Sequence, residues 1–171
     1  MEDAFTGGTE KPEQRVAQIR LRKAELYLSD RRPDMALNLL SNETDQLFSL
    51  SPSLQAEREY ILGKIARNHP APGLEHPLIH FKRAMAQIGN NNVTELTWKI
   101  SLELGREFKR RGNAERAREF LGATGTILKY FASGFDDDLL RSKYLASESR
   151  RIAMQTVLNE LSTPHEGVVS L

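Results

Sequence analysis

The chain has no cysteine, no long apolar run and no excess of one charge: 24 Lys and Arg stand against 23 Asp and Glu, a formal net charge of +1. Without cysteine there is no disulfide framework and no thiolate metal site. A membrane-crossing helix takes about 20 consecutive apolar residues, and no run of that length occurs. The first residues, MEDAFTGGTEKPEQ, lack the cationic start and apolar stretch of a secretory signal. The chain therefore reads as soluble, without a membrane partner, and the cytoplasm is the expected location. Balanced charge gives no global pull toward nucleic acid, so any electrostatic partner must be sought in local patches. Strict polar–apolar alternation is also missing, which removes the pattern of a half-buried strand.

What the chain does have is helical periodicity over a length, 171 residues, suited to one domain. From Glu13 to Leu28 the residues Val16, Ile19, Leu21, Ala24, Leu26, Tyr27 and Leu28 predict one helix with a single wide apolar face. Pro33 opens a second helix with Met35, Ala36, Leu39 and Leu40, and Ser51 with Pro52 caps a third that ends near His69, just before Pro70. A fourth carries Leu78, Phe81, Ala84, Met85 and Ile88. A fifth repeats Leu96, Ile100, Leu104 and Phe108, with Asn92 and Glu95 spaced as a capping box and Gly112 as its stop. Asn113 caps a sixth, which stops near Gly134. Asp136 to Asp138 cap a short seventh, and Ser147 caps a last helix through Leu161. The fold expected is all-α: a disordered segment over residues 1–12, one helical domain over 13–161, and a flexible tail over 162–171.

Small residues recur at fixed offsets. Ala24 and Ala36 are twelve residues apart, as are Gly105 and Ala117, and each pair is followed four residues later by a leucine, Leu40 and Leu121. This resembles the tetratricopeptide repeat, with the closest match from Trp98 to Lys129 and a degenerate one over roughly residues 15–132. A middle pair, Leu62, Gly63 and Ala66 followed by Phe81 and Ala84, fits with an inserted loop at HPAPGLEH, and Pro77 stands where the family has a small residue. The resemblance implies antiparallel helix pairs stacked as a superhelix with a C-terminal capping helix, and a groove lined by the first helix of each pair. The family's groove positions fall on Leu21, Glu25 and Leu28, then on Glu57, Tyr60, Lys64, Arg67 and Asn68, then on Lys99, Leu102, Arg106, Lys109 and Arg110. The last two sets are basic. The function implied is a scaffold, adaptor or regulatory module that holds an acidic segment of another protein by charge-assisted hydrogen bonds, with Tyr60 or Leu102 as apolar contacts. Leu21 and Glu25 stand where chaperone-tail-binding members need Lys and Asn, which disfavours that ligand. Exposed ends of such a stack also allow a homo-oligomer.

The alternative is a nucleic-acid-binding face made of Lys99, Arg106, Lys109, Arg110, Arg111 and Arg118. The basic run KRRGNAERAREF reads more simply as a solvated helix corner, with Glu115 and Glu119 beside its last arginines and no interleaved aromatics for base stacking. No catalytic set is apparent and no cofactor is implied. His69, His76 and His80 lack a placed third ligand and a helix glutamate, so no metal is expected. GATG at Gly122–Gly125 follows a helix and has no Lys-Ser/Thr sequel, which makes it a packing stretch rather than a phosphate loop.

Overall fold

A computed structural model describes residues 11–41, 45–48, 51–89 and 93–162, and these are helical with no strand. The chain packs as two compact units, Met1–Gln87 and Ile88–Leu171. The first holds α1 (Pro12–Ser29), α2 (Pro33–Ser41), α3 (Asp45–Phe48), α4 (Pro52–Asn68) and α5 (Pro77–Ile88). Four of these five start on a proline, where the missing N–H has no helical partner to lose and the fixed φ suits the first turn. The Ser51 side chain accepts from Ser53 N at 3.2 Å and caps α4, which ends at His69.

α1 buries Ala17, Leu21 and Ala24 against α2, α3 and α4, and α2 buries Ala36 and Leu40. Arg58 of α4 closes this corner. Its Nε donates to the Leu40 carbonyl at 3.0 Å, at the C-terminal end of α2, and its guanidinium lies over the Phe48 ring at 5.6 Å. A cation is favoured there by the free carbonyls of the helix end. Further along α4, Gly63 meets the edge of Phe81 so closely that a Cβ would lie 2.5 Å from Phe81 Cε1. Next to it His80 is buried with Nδ1 2.8 Å from Glu59 Oε2.

The second unit is built on α6 (Glu95–Arg110) and α7 (Ala114–Ser133), followed by α8 (Asp138–Ala146) and α9 (Glu148–Leu161). Thr94 starts α6 through a reciprocal box with Thr97, whose Oγ1 accepts from Thr94 N at 2.9 Å. The cap expected at Asn92 lies outside the described residues. At the other end Gly112 has φ of 73°, the left-handed conformation that glycine adopts without strain, and Asn113 Oδ1 accepts from Arg116 N at 3.0 Å to open α7. Asp137 opens α8 by accepting from Leu139 N at 2.6 Å.

α6 and α7 run antiparallel. Phe108 stacks on Phe120 at 5.5 Å near the corner, Gly105 sits against Leu121 and Ala117 one turn deeper, and Trp98 and Leu102 share a core with Leu121 and Leu128. A Cβ on Gly105 would stand 2.6 Å from Leu121 Cγ, the same close approach as at Gly63 and Phe81. The corners agree too. Arg31 has φ of 58°, seven residues after Ala24, just as Gly112 follows Gly105 by seven. Within GATG, Gly125 carries the packing role, since its Cβ would lie 3.1 Å from Val157 of α9.

One substitution tests the nesting. Gly105→Ala gains about 1 kcal/mol of helix propensity, but it drives a methyl into a fully buried Leu121, and overpacking costs about 1–3 kcal/mol. Thermal melting should show a net loss for Gly105→Ala. The double variant Gly105→Ala/Leu121→Ala should be more stable than the two single losses together predict, because the second change makes room for the first. A more stable Gly105→Ala protein would contradict the nesting.

Candidate partner-binding surfaces

Of the groove positions expected on α6, Leu102, Arg106 and Lys109 meet α9. Leu102 is 6% exposed and shares its core cluster with Ala153 and Val157 of α9. Arg106 pairs with Glu103 at 3.2 Å and donates to Thr156 Oγ1 at 3.5 Å, while Lys109 pairs with Glu160. Arg110 pairs with Glu107, and the Lys99 ammonium lies over the Trp98 ring at 5.9 Å. Glu103, Glu107 and Glu160 are all buried. A buried carboxylate without a cation is costly, so Arg106, Arg110 and Lys109 are committed to holding their own fold together. Leu102 is a core residue and not an apolar contact open to a partner. Around the corner, Arg116 pairs with Glu119 at 2.6 Å, as a solvated turn requires.

In the first unit the expected positions divide differently. Leu21 is fully buried and belongs to the core. Tyr60 is 8% exposed and leans on Phe81 with ring centres 6.1 Å apart, so it too is a core residue rather than an open contact. Lys64 is half-buried with its ammonium over the Tyr60 ring at 5.4 Å, Arg67 is half-buried with Nε donating to Asn68 Oδ1 at 3.3 Å, and Asn68 is exposed. Between α1 and α4 lies an open cleft of about 530 Å³ lined by Gln18, Ile19, Arg22, Lys23, Leu26, Ser53, Leu54 and Glu57. A neighbouring cleft of about 460 Å³ shares Arg22 and Leu26 and adds Glu25, Ser29 and Lys64. Arg22 ties the two walls together, bonding Glu25 on α1 at 2.9 Å and pairing with Glu57 on α4 at 3.5 Å.

The single wide apolar face expected of α1 is in fact two faces. Ala17, Leu21 and Ala24 are fully buried, whereas Val16, Ile19 and Leu26 are 43%, 59% and 65% exposed. Ile19, Arg22, Lys23 and Leu26 are thus cleft residues that a groove mapping onto Leu21 and Leu28 overlooks. The signal was present in the spacing, because residues 16, 19, 23 and 26 step by three and four while 17, 21 and 24 form a separate stripe.

The histidines are engaged separately. His76 Nδ1 accepts from Leu78 N at 3.1 Å at the start of α5, and His80 Nδ1 donates to the Glu59 carboxylate. Among the described residues no three His, Asp or Glu come together as a metal would need. The serine expected to cap α9, Ser147, instead takes a hydrogen bond from Arg150 at 3.1 Å and makes no side-chain cap.

A cluster around Glu95, the first residue of α6, adds to the hold on α8 and α9. Its carboxylate accepts from Tyr144 OH at 2.6 Å and Trp98 Nε1 at 2.7 Å and faces Arg150 at 3.2 Å, while the Arg150 guanidinium covers the Tyr144 ring at 3.9 Å. Burial pushes the Glu95 carboxyl upward, but the hydrogen bonds from Tyr144 and Trp98 and the charge of Arg150 outweigh it and hold the group below the usual carboxylate range. Burial, and then the bond to Glu95, push the Tyr144 hydroxyl up to about 12. No family model, no curated protein and no solved structure matches this chain.

The two shifts act at opposite ends of the pH scale. A lowered carboxyl contributes stability that is present above its unfolded value, about 4.3, and is lost as pH falls through the folded value. A raised tyrosine contributes stability that is present below about 10 and is lost as pH rises toward its folded value. Urea midpoints measured against pH should therefore show a shallower acid arm for Glu95→Gln and a shallower alkaline arm for Tyr144→Phe. Variants that keep both arms at full slope would contradict the role given to this cluster.

Proposed function

We propose that this chain is a protein-interaction module of paired helices, similar to tetratricopeptide repeats, that holds an acidic segment of a partner protein. Its place would be the cytoplasm and its role that of an adaptor, scaffold or regulatory piece rather than an enzyme. The recurring close approach, Gly63 to Phe81 and Gly105 to Leu121, and the equivalent corners at Arg31 and Gly112 support the repeat reading. The observation that carries the binding reading is the open cleft between α1 and α4, the first helices of two successive pairs, with Arg22, Lys23 and Lys64 beside Ile19 and Leu26. Such a site offers charge-assisted bonds to carboxylates and an apolar seat beside them. Of the basic groove residues read from the sequence, Lys64 lines the cleft; Arg67 and Asn68 follow it at the end of α4. Lys99, Arg106, Lys109 and Arg110 belong to the second unit and are left out of this proposal.

Fluorescence anisotropy with labelled peptides tests the reading. Glu- and Asp-rich peptides containing one or two Leu residues should bind more tightly than their Lys-rich counterparts. The preference should fade at high salt, where the screening length falls from about 10 Å at 0.1 M to about 3 Å at 1 M. Lys64→Glu should weaken acidic-peptide binding several-fold. Binding that ignores peptide charge, or preferential binding of an oligonucleotide, would overturn it.

A further inference from the structure

The outward face of α1 is itself the pattern of a helix that packs against another helix. Val16, Ile19, Lys23 and Leu26 are spaced three, four and three residues apart, the alternation that keeps one seam of a helix facing a partner helix. At 3.6 residues per turn this seam falls on the side of α1 opposite its buried residues Ala17, Leu21 and Ala24. Its three apolar members are all exposed, Leu26 by 65%, Ile19 by 59% and Val16 by 43%, so no described residue buries them. The seam is about 15 Å long at 1.5 Å per residue, a little under three helical turns.

Its charges select the occupant. Arg15 and Arg22 line one edge, Arg20 the other, and Lys23 stands within the seam. Arg22 is engaged by Glu25 and Glu57, but Arg15, Arg20 and Lys23 have no carboxylate partner among the described residues, and Lys23 makes only a contact over the Tyr27 ring at 5.7 Å. A second copy of this chain would bring the same four cations against themselves, and facing like charges oppose association. An anionic membrane would accept the charge, but the seam has neither Trp nor Phe to enter the lipid boundary and it borders a cleft rather than a flat face.

We propose that α1 docks an amphipathic helix of another protein, one with apolar residues at three- and four-residue steps flanked by Glu or Asp, seated along Val16, Ile19 and Leu26 and over the α1–α4 cleft. This rests on the interaction-module reading and specifies the partner as a helix rather than an extended acidic segment. Helix-in-groove recognition supplies the apolar anchors. The acidic flanks fix its orientation through Arg15, Arg20 and Lys23. The polar position within the seam sets its register.

The test uses the full chain and a designed helical peptide of about three heptads, with Leu along one seam and Glu on both flanks. Controls are the same peptide with Lys for Glu, a scrambled peptide of identical composition, and phosphatidylserine-containing vesicles. Ile19→Ser/Leu26→Ser and Arg15→Glu/Arg20→Glu change side chains that no core contact requires, and circular dichroism with thermal melting verifies that they fold. The acidic helix should bind, and both double variants should weaken it at least tenfold, as should replacing Glu by Lys or scrambling the order. Equal binding of the scrambled or Lys peptide, variants with unchanged affinity, vesicle binding as strong as peptide binding, or dimerisation abolished by Ile19→Ser/Leu26→Ser would each overturn the proposal. If the seam variants are silent while acidic peptides still bind in a Lys64-dependent way, the helix proposal fails and the interaction-module reading survives. If no acidic peptide binds, both fail.

Discussion

Two helix contacts in this fold depend on an approach closer than ordinary side chains allow. At Gly105 a single added carbon would overlap Leu121, and at Gly63 one would overlap Phe81, so each pair of helices closes by inserting a large apolar side chain into the gap left by a glycine. Interiors packed to crystal density leave no slack for a looser arrangement. A hairpin of this kind buries one stripe of each helix and leaves the opposite side unspent. In α1 that remaining side is apolar as well, and it is the surface proposed for binding.

Charge behaves differently in the two units, and the difference is one of burial rather than number. On α6 the cations Arg106, Arg110 and Lys109 answer the buried carboxylates Glu103, Glu107 and Glu160. Drawing any of them toward a ligand would strand a charge in the interior. On α1 the exposed Arg15 and Lys23 and the half-buried Arg20 answer no carboxylate of the described chain. A basic face is available to a partner only where its own fold has no claim on it. By that criterion α1 is the better candidate for recognition, although its sequence is less conspicuous than the run KRRGNAERAREF.

How much of this was legible in the sequence depended on the range of the interaction. Prolines at helix starts, the Ser51 and Asn113 caps, the turn at Gly112 and the stop near Gly134 are decided within a few residues, and they stand where local chemistry places them. The small-residue spacing also pointed correctly to the α6–α7 nesting. The short α3 has too few residues to leave a periodic trace. The contact of Lys109 with Glu160 joins positions far apart in the chain, so no local pattern announces that α9 covers the presumed groove. Nor does spacing alone say which apolar stripe of α1 turns inward, because that is settled by where α2 and α4 come to lie.

The most direct measurement is amide shift mapping on the ¹⁵N-labelled full chain as an acidic amphipathic helix is added. If α1 is the recognition element, the largest shifts fall on residues 15–26 and on the facing turns of α4 from Ser53 to Lys64, while α6 and α9 stay unmoved. Shifts concentrated on residues 99–110 and on α9, with α1 silent, would show that the partner displaces the chain's own last helix and that the account has placed the binding surface on the wrong unit.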